Sequence, residues 1–237
     1  SGGGLIRRDL LDEYVLRLNR HPGRRVDVAV APGEQSGDAV LDFLVSESKP
    51  WSIYFQLSNT GTEQTNEWRE RAGFVHNQLT GNDDVFTLDY ITAGFESANA
   101  IQATYDAPFF GVDGLRWNIN AGWNEYTASD VGLAGEEFSG DGYSFGAGLT
   151  YNLYQHRELF VDLVGGVRYE SFSVESTVSG GGEEQLFFPY IGVSAEQTTD
   201  TQSWSALARL EFQPGGGDED ELEGLGRLDA DDTWTVF

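Results

Sequence analysis

From Trp51 onward, apolar and polar side chains alternate along the chain with a period of two, and the alternation persists through about nine to ten segments. It is cleanest in three of them. In 115–123, Leu115, Trp117, Ile119, Ala121 and Trp123 alternate with Arg116, Asn118, Asn120 and Gly122. In 143–153, Tyr143, Phe145, Ala147, Leu149, Tyr151 and Leu153 alternate with Ser144, Gly146, Gly148, Thr150 and Asn152. In 204–212, Trp204, Ala206, Ala208, Leu210 and Phe212 alternate with Ser205, Arg209 and Glu211, and Leu207 is the exception. Successive strand residues point to opposite faces, so each segment predicts a strand with one greasy and one polar side.

Before Trp51 the period differs. Leu10, Leu11, Tyr14, Val15 and Leu18 recur at helical spacing and predict a helix over 5–18, with Asp9, Asp12 and Glu13 in its N-terminal half. Two short apolar segments come next, Arg25–Val30 and Ala39–Val45, separated by Pro32-Gly33 and Ser36-Gly37. That is a strand, turn, strand pattern. The chain therefore divides into an incomplete α/β unit over 1–48 and an antiparallel sheet over 51–237.

Alternation by itself suits a water-soluble sandwich as well as a membrane barrel, because either has one apolar face. Three features lean toward the membrane. The segments run to roughly ten residues, the length a tilted strand needs to cross a bilayer. Trp51, Tyr54, Tyr126, Tyr151 and Trp204 sit near segment ends, as interfacial aromatics do. The opposite face is small and polar. If the unit before Trp51 is periplasmic, every odd-numbered strand of the sheet runs outward. The three longest expected connections, 128–141, 173–185 and 213–231, then all fall outside, where outer-membrane barrels carry their long loops, while Asn82-Asp83-Asp84 and Gln155-His156-Arg157 form short turns.

Composition narrows the function. With 39% hydrophobic and 13% aromatic residues the chain is not disordered, and its formal charge of −25 repels nucleic acid. There are no cysteines, hence no disulfide and no thiolate metal site. No apolar run reaches the roughly 18 residues of a membrane helix, and the start Ser1-Gly2-Gly3-Gly4 has no signal-peptide character. An exported chain without a signal sequence, ending at Thr235-Val236-Phe237, reads as a fragment.

Catalytic motifs fail their context tests. Gly142-Tyr143-Ser144-Phe145-Gly146 spells a nucleophile elbow, but no helical pattern comes after the serine. His21, His76 and His156 are scattered without metal-ligand spacing, and the runs Asp218-Glu219-Asp220-Glu221 and Asp229 to Asp232 lack the order of a calcium loop. Gly180-Gly181-Gly182 and Gly215-Gly216-Gly217 are not followed by Lys-Ser/Thr, so neither is a phosphate cradle. The chain is expected to be no enzyme and to need no cofactor and no metal. Polar residues on the alternating strands are more informative, because charges are costly against lipid and suit a wet lumen. Asp89, Asp106, Arg116, Asn118, Asn120, Asp162, Arg168, Arg209 and Glu211 are the candidates for lining a pore.

The stretch Leu16-Arg17-Leu18-Asn19-Arg20-His21-Pro22-Gly23-Arg24-Arg25-Val26, then Ala31-Pro32-Gly33 and Gly37, then Lys49-Pro50-Trp51 and Ser58-Asn59-Thr60-Gly61-Thr62, resembles the passage from the second periplasmic POTRA domain into the barrel in the two-partner secretion translocators, the hemolysin activation and secretion protein family. The resemblance implies a mainly β fold: an antiparallel transmembrane β-barrel, partial here, preceded by the end of an α/β POTRA domain. It implies that residues 1–48 lie in the periplasm and that Trp51 opens the first strand of a barrel in the bacterial outer membrane. The implied function is export of a large partner polypeptide without nucleotide hydrolysis. The implied partners are a secreted exoprotein and outer-membrane lipid, with no nucleic acid, and the full-length barrel is expected to be monomeric. If a POTRA edge takes the exoprotein by strand pairing, Arg25, Val26, Val28, Val30, Leu41 and Phe43 are the candidate contacts. A barrel-assembly factor, a passive porin and a soluble β-sandwich binding module are the alternatives.

Overall fold

In a computed structural model, which describes residues 7–35, 37–131, 136–177, 180–199, 201–214 and 233–236, the helical periodicity yields α1 (Arg8–Leu18), with Asp9 in its first turn and Arg17 in its last. Both ends thus carry the charge that the helix dipole favours. Two strands come next, β1 (Arg24–Pro32) and β2 (Ala39–Glu47), paired antiparallel with Val26 opposite Val45 and Val28 opposite Phe43. Helix α1 lies on this hairpin, where the Tyr14 and Phe43 rings meet edge-on with centroids 6.2 Å apart.

The rest of the described chain forms one ten-stranded sheet. Its strands are β3 (Trp51–Ser58), β4 (Arg69–Asn77), β5 (Val85–Ala93), β6 (Ala98–Pro108), β7 (Leu115–Val131), β8 (Glu136–His156), β9 (Leu159–Ser176), β10 (Gly180–Thr198), β11 (Ser203–Pro214) and β12 (Thr233–Val236). Each pairs antiparallel with the next in sequence, so the sheet is a plain meander without crossovers.

Register assigns the two faces. The row Tyr54, Gly73, Asp89, Gln102, Gly122, Ser144, Glu170, Leu186 lies across β3 to β10 as directly opposed residues, and such residues share a face. On the other face lie Phe55, Phe74, Ile101, Ile119, Phe145, Val167, Ile191 and Leu210. Of these, Phe55 is 81% exposed, Phe145 55% and Ile119 48%. No second layer covers them among the described residues. That excludes a sandwich, in which the apolar face would be the buried one.

Two sequence expectations are corrected. Residues 128–131, 136–141, 173–176 and 180–185 were expected in long loops, but they are paired strand, with Phe138 opposite Ser176 and Gly182 opposite Val174. Strands β8, β9 and β10 consequently reach 21, 18 and 19 residues, about twice what a tilted strand needs to span a bilayer. Loop-like composition misled because Gly, Ser and Glu on a strand outside a membrane are satisfied by water on both faces, so apolar alternation is not required there. The remaining long connection, the Gly215–Gly217 run and both acidic runs lie outside the described residues.

Candidate functional site

All nine residues singled out as pore candidates fall on the polar face. Register places Asp89, Asp106, Arg116, Asn118, Asn120, Asp162, Arg168, Arg209 and Glu211 there without exception. They are not lone charges. The Tyr54 hydroxyl donates to Asp89 at 2.5 Å and Arg71 Nε donates to the same carboxylate at 2.8 Å. Arg116 pairs with Asp106, and Glu211 receives Arg168 at 3.1 Å and Arg209 at 2.8 Å. Arg168 lies 4.7 Å over the Phe188 ring, and Arg209 lies 5.1 Å over Tyr190. Charged groups of both signs, interlocked and partly exposed, make a hydrated wall with little net field.

Glycines give the large side chains of this face their room. A Cβ on Gly73 would stand 2.1 Å from the Tyr54 ring, and Cβ atoms on Gly148 and Gly166 would each stand 2.6 Å from the Tyr190 hydroxyl. Gly142 to Gly146 lies inside β8, with strand on both sides, so Ser144 has no elbow. Among the described residues no group of three or more His, Asp or Glu side chains is disposed to hold a metal ion.

Sequence reasoning missed the second half of the site, the seam between the α1 unit and one end of the sheet. Arg20 bridges Asp162 at 2.6 Å and Glu196 at 2.7 Å while stacking 4.3 Å over Phe160. Arg17 meets Asp113 at 2.6 Å, and Arg24 meets Asp83 at 2.6 Å while donating to the Leu18 carbonyl at 2.8 Å. Burial opposes the charge of Arg20, but hydrogen bonds and charges from Asp162 and Glu196 prevail and raise its pKa above the ordinary arginine value. At Asp83, burial likewise disfavours the charge, yet the hydrogen bonds from Arg24 and Gln78 hold the carboxyl below its ordinary 3.8.

Local chemistry explains the residues of the seam. Asn19 pins β1 by accepting from the Val26 N–H at 2.6 Å and donating to the Val26 carbonyl at 2.9 Å, as a neighbouring strand would. Gly23 turns with φ +82°, and its carbonyl accepts from the Ser48 N–H at 2.8 Å. A register shift between Asn152 and Tyr154 inserts one residue into β8. The insertion reverses the facing of the strand residues beyond it, so Gln155 turns to the polar face. There it accepts from Arg17 Nε at 3.1 Å and donates to the Glu13 carbonyl at 2.7 Å. A signal was present, because Arg17, Arg20, Arg24 and Arg25 are four of only 14 Lys and Arg in an acidic chain.

The six candidates on the hairpin are brought together differently. Val26, Val28 and Val30 face Val45, Phe43 and Leu41 across the β1 and β2 ladder, and Arg25 faces Ser46. Val26 is buried, whereas Val30 and Phe43 are exposed. Among the described residues each of the two strands keeps one unpaired edge.

Residues 37–172 match the family model of the haemolysin secretion/activation proteins ShlB, FhaC and HecB, more than half of the chain. The chain belongs to this family. A haemolysin secretion/activation protein of this kind is also similar to the heme/hemopexin transporter protein HuxB of Haemophilus influenzae, with 26% identity over 121 residues, which is 51% of this chain and 21% of HuxB. Among solved structures it resembles CdiB from Escherichia coli, with a TM-score of 0.74, 16% identity and coverage of 98% of this chain and 44% of that one. CdiB from Acinetobacter baumannii gives a TM-score of 0.65 at 14% identity, covering 92% of this chain and 42% of that one. BamA from Haemophilus ducreyi lacking POTRA domains 1-3 gives 0.56 at 14% identity, covering 92% of this chain and 44% of that one. The chain therefore spans about a fifth of HuxB and less than half of each of these structures. At such identities the structural likeness shows the fold, and that fold is part of an antiparallel β-barrel wall.

Proposed function

We propose that this chain is part of an outer-membrane translocator that exports a large partner polypeptide by two-partner secretion, without nucleotide hydrolysis. Residues 1–48 supply the end of a periplasmic POTRA domain, and residues 51–237 supply the first ten strands of a monomeric barrel. The observation that carries the reading is the sorting of Asp89, Asp106, Arg116, Asn118, Asn120, Asp162, Arg168, Arg209 and Glu211 onto one face, opposite an exposed apolar face. The polar face lines a water-filled lumen and the apolar face meets lipid. An unfolded polypeptide can slide along such a wall because its ionic groups are already paired and leave few fixed charges to arrest it. The outer edges of β1 and β2, at Arg25, Val28, Val30, Leu41 and Phe43, offer strand pairing to the incoming chain, while at Val26 Asn19 already holds both backbone groups and would have to give way. No catalytic step is required of any residue, and no cofactor enters the reading.

A barrel-assembly role is the second reading, favoured by the likeness to BamA. The two separate in one experiment. The full-length gene is expressed in a host deleted for it, and both the medium and the outer membrane are assayed. Appearance of one large exoprotein in the medium, with other barrels unaffected, supports export. A general loss of folded outer-membrane barrels on deletion, with no exoprotein dependent on the gene, overturns it in favour of assembly.

A further inference from the structure

Between the turn after α1 and the polar wall lies a cavity of about 420 Å³, within the range of roughly 300–1,000 Å³ typical of ligand sites. Leu18, His21, Arg24, Asp106, Arg116 and Thr150 are among the residues that line it. His21 is only 7% exposed, and neither Nδ1 nor Nε2 has a hydrogen-bond partner. Buried polar groups are normally satisfied, so a ring with both nitrogens unmet points to an occupant. Arg24 Nε, also buried, has no partner either.

The chemistry of the lining selects the occupant. The arginines around the cavity are ion-paired: Arg17 with Asp113, Arg20 with Asp162 and Glu196, Arg24 with Asp83, and Arg116 with Asp106. Four guanidiniums against five carboxylates leave no positive charge to attract an anion. The free capacity is hydrogen bonding at the two ring nitrogens of His21, which offer a partner two separate sites. A peptide unit presents the complementary pair, one C=O and one N–H, whatever its side chain. Asp106, Arg116 and Thr150 belong to both the cavity and the polar face, so the cavity opens onto the wall.

We propose that this cavity is an entry site for the exported polypeptide, in which His21 hydrogen-bonds a backbone peptide group of an extended segment. Recognition through the backbone tolerates many sequences passing in turn. The site rests on the export reading above and gives it a point of first contact inside the wall.

The test uses the full-length translocator with its exoprotein in cells. His21→Leu removes both hydrogen bonds, and His21→Gln keeps one donor and one acceptor. Secretion per folded translocator is expected to fall about tenfold in H21L, the scale of one lost buried hydrogen-bond pair, and to stay near wild type in H21Q. Thr150→Cys, with His21 intact, is expected to form a disulfide with cysteines placed in an exoprotein stalled during export. Equal secretion by H21L and wild type, as for a cavity holding water only, would overturn the site, and so would an H21Q defect as deep as that of H21L. If H21L fails to insert, the Thr150→Cys crosslink decides, and its absence overturns the site. If the wild-type protein secretes nothing, the export reading itself has failed.

Discussion

Replacing Arg20 with alanine is expected to loosen the seam between the α1 unit and the sheet far more than replacing Arg17, although each makes an ion pair at 2.6 Å. The difference is burial. The Asp113 side chain is 82% exposed, so water solvates it when Arg17 is lost, and such surface pairs contribute under about 1 kcal/mol. The Asp162 side chain is 5% exposed. Removing one partner of a buried pair typically costs about 3–5 kcal/mol, because the other charge is left stranded. Asn152 still donates to Asp162 at 2.7 Å, which puts the cost at the lower end, about 3 kcal/mol. At about 1.4 kcal/mol per decade, that shifts the docked-to-free equilibrium by roughly two orders of magnitude. The assay is amide hydrogen exchange on the full-length protein in nanodiscs, monitored at residues 19–26. Exchange should accelerate by about two decades in Arg20→Ala and by less than about fivefold in Arg17→Ala. Equal acceleration in both, or less than a twofold change in Arg20→Ala, would refute burial as the deciding factor.

The two faces and the turns can be probed in the same way. Ile119→Arg on the apolar face should destabilise the inserted barrel by about 2–4 kcal/mol in lipid-vesicle unfolding, whereas Asn120→Arg, one residue on, should cost under about 1 kcal/mol; similar losses for both would invert or abolish the assigned faces. Gly73→Ala should cost about 1–3 kcal/mol by displacing the Tyr54 ring, with most of the loss recovered by Tyr54→Ala in the same chain, and additive urea midpoints would contradict that contact. Asp84→Ala removes the acceptor for the Thr80 N–H at 3.0 Å and the Thr80 hydroxyl at 2.8 Å, so the turn before β5 should become protease-sensitive at a cost of about 1–3 kcal/mol. Because the folded Asp83 carboxyl sits below its ordinary 3.8, its contribution is present above that pH and disappears as pH falls through the lower folded value. The seam should therefore hold at pH 5 and weaken below about pH 4; a carboxyl carbon NMR titration of Asp83 with a midpoint above 3.8 would contradict this.

The sheet was legible in the sequence because a one-layer wall between lipid and water imposes strict alternation. Positions such as Trp117, Ile119 and Ala121 on one side and Asn118 and Asn120 on the other carry the whole signal. That is why all nine polar candidates could be placed on one face without coordinates. Where the constraint lapses, so did the reading: the outer parts of β8, β9 and β10, rich in Gly, Ser and Glu, passed for loops. The seam was opaque for another reason. Its partners are 59 to 176 positions apart, as in Arg24 with Asp83 and Arg20 with Glu196, and they meet only once the register of β8 to β10 is set. The inserted residue in β8 is invisible to a period-two reading, yet it decides that Gln155 faces Arg17.

The unequal strands give the barrel a lopsided profile. At about 3.4 Å per residue, the 8 residues of β3 measure roughly 27 Å along the strand and the 21 of β8 roughly 70 Å. Strands β3 to β6 stay short, at 8 to 11 residues, while β7 to β10 run to 17 to 21, so the height of the wall steps up at β7. Beyond that step the rim is made of hydrogen-bonded strand, which holds its shape where a loop of the same composition would not.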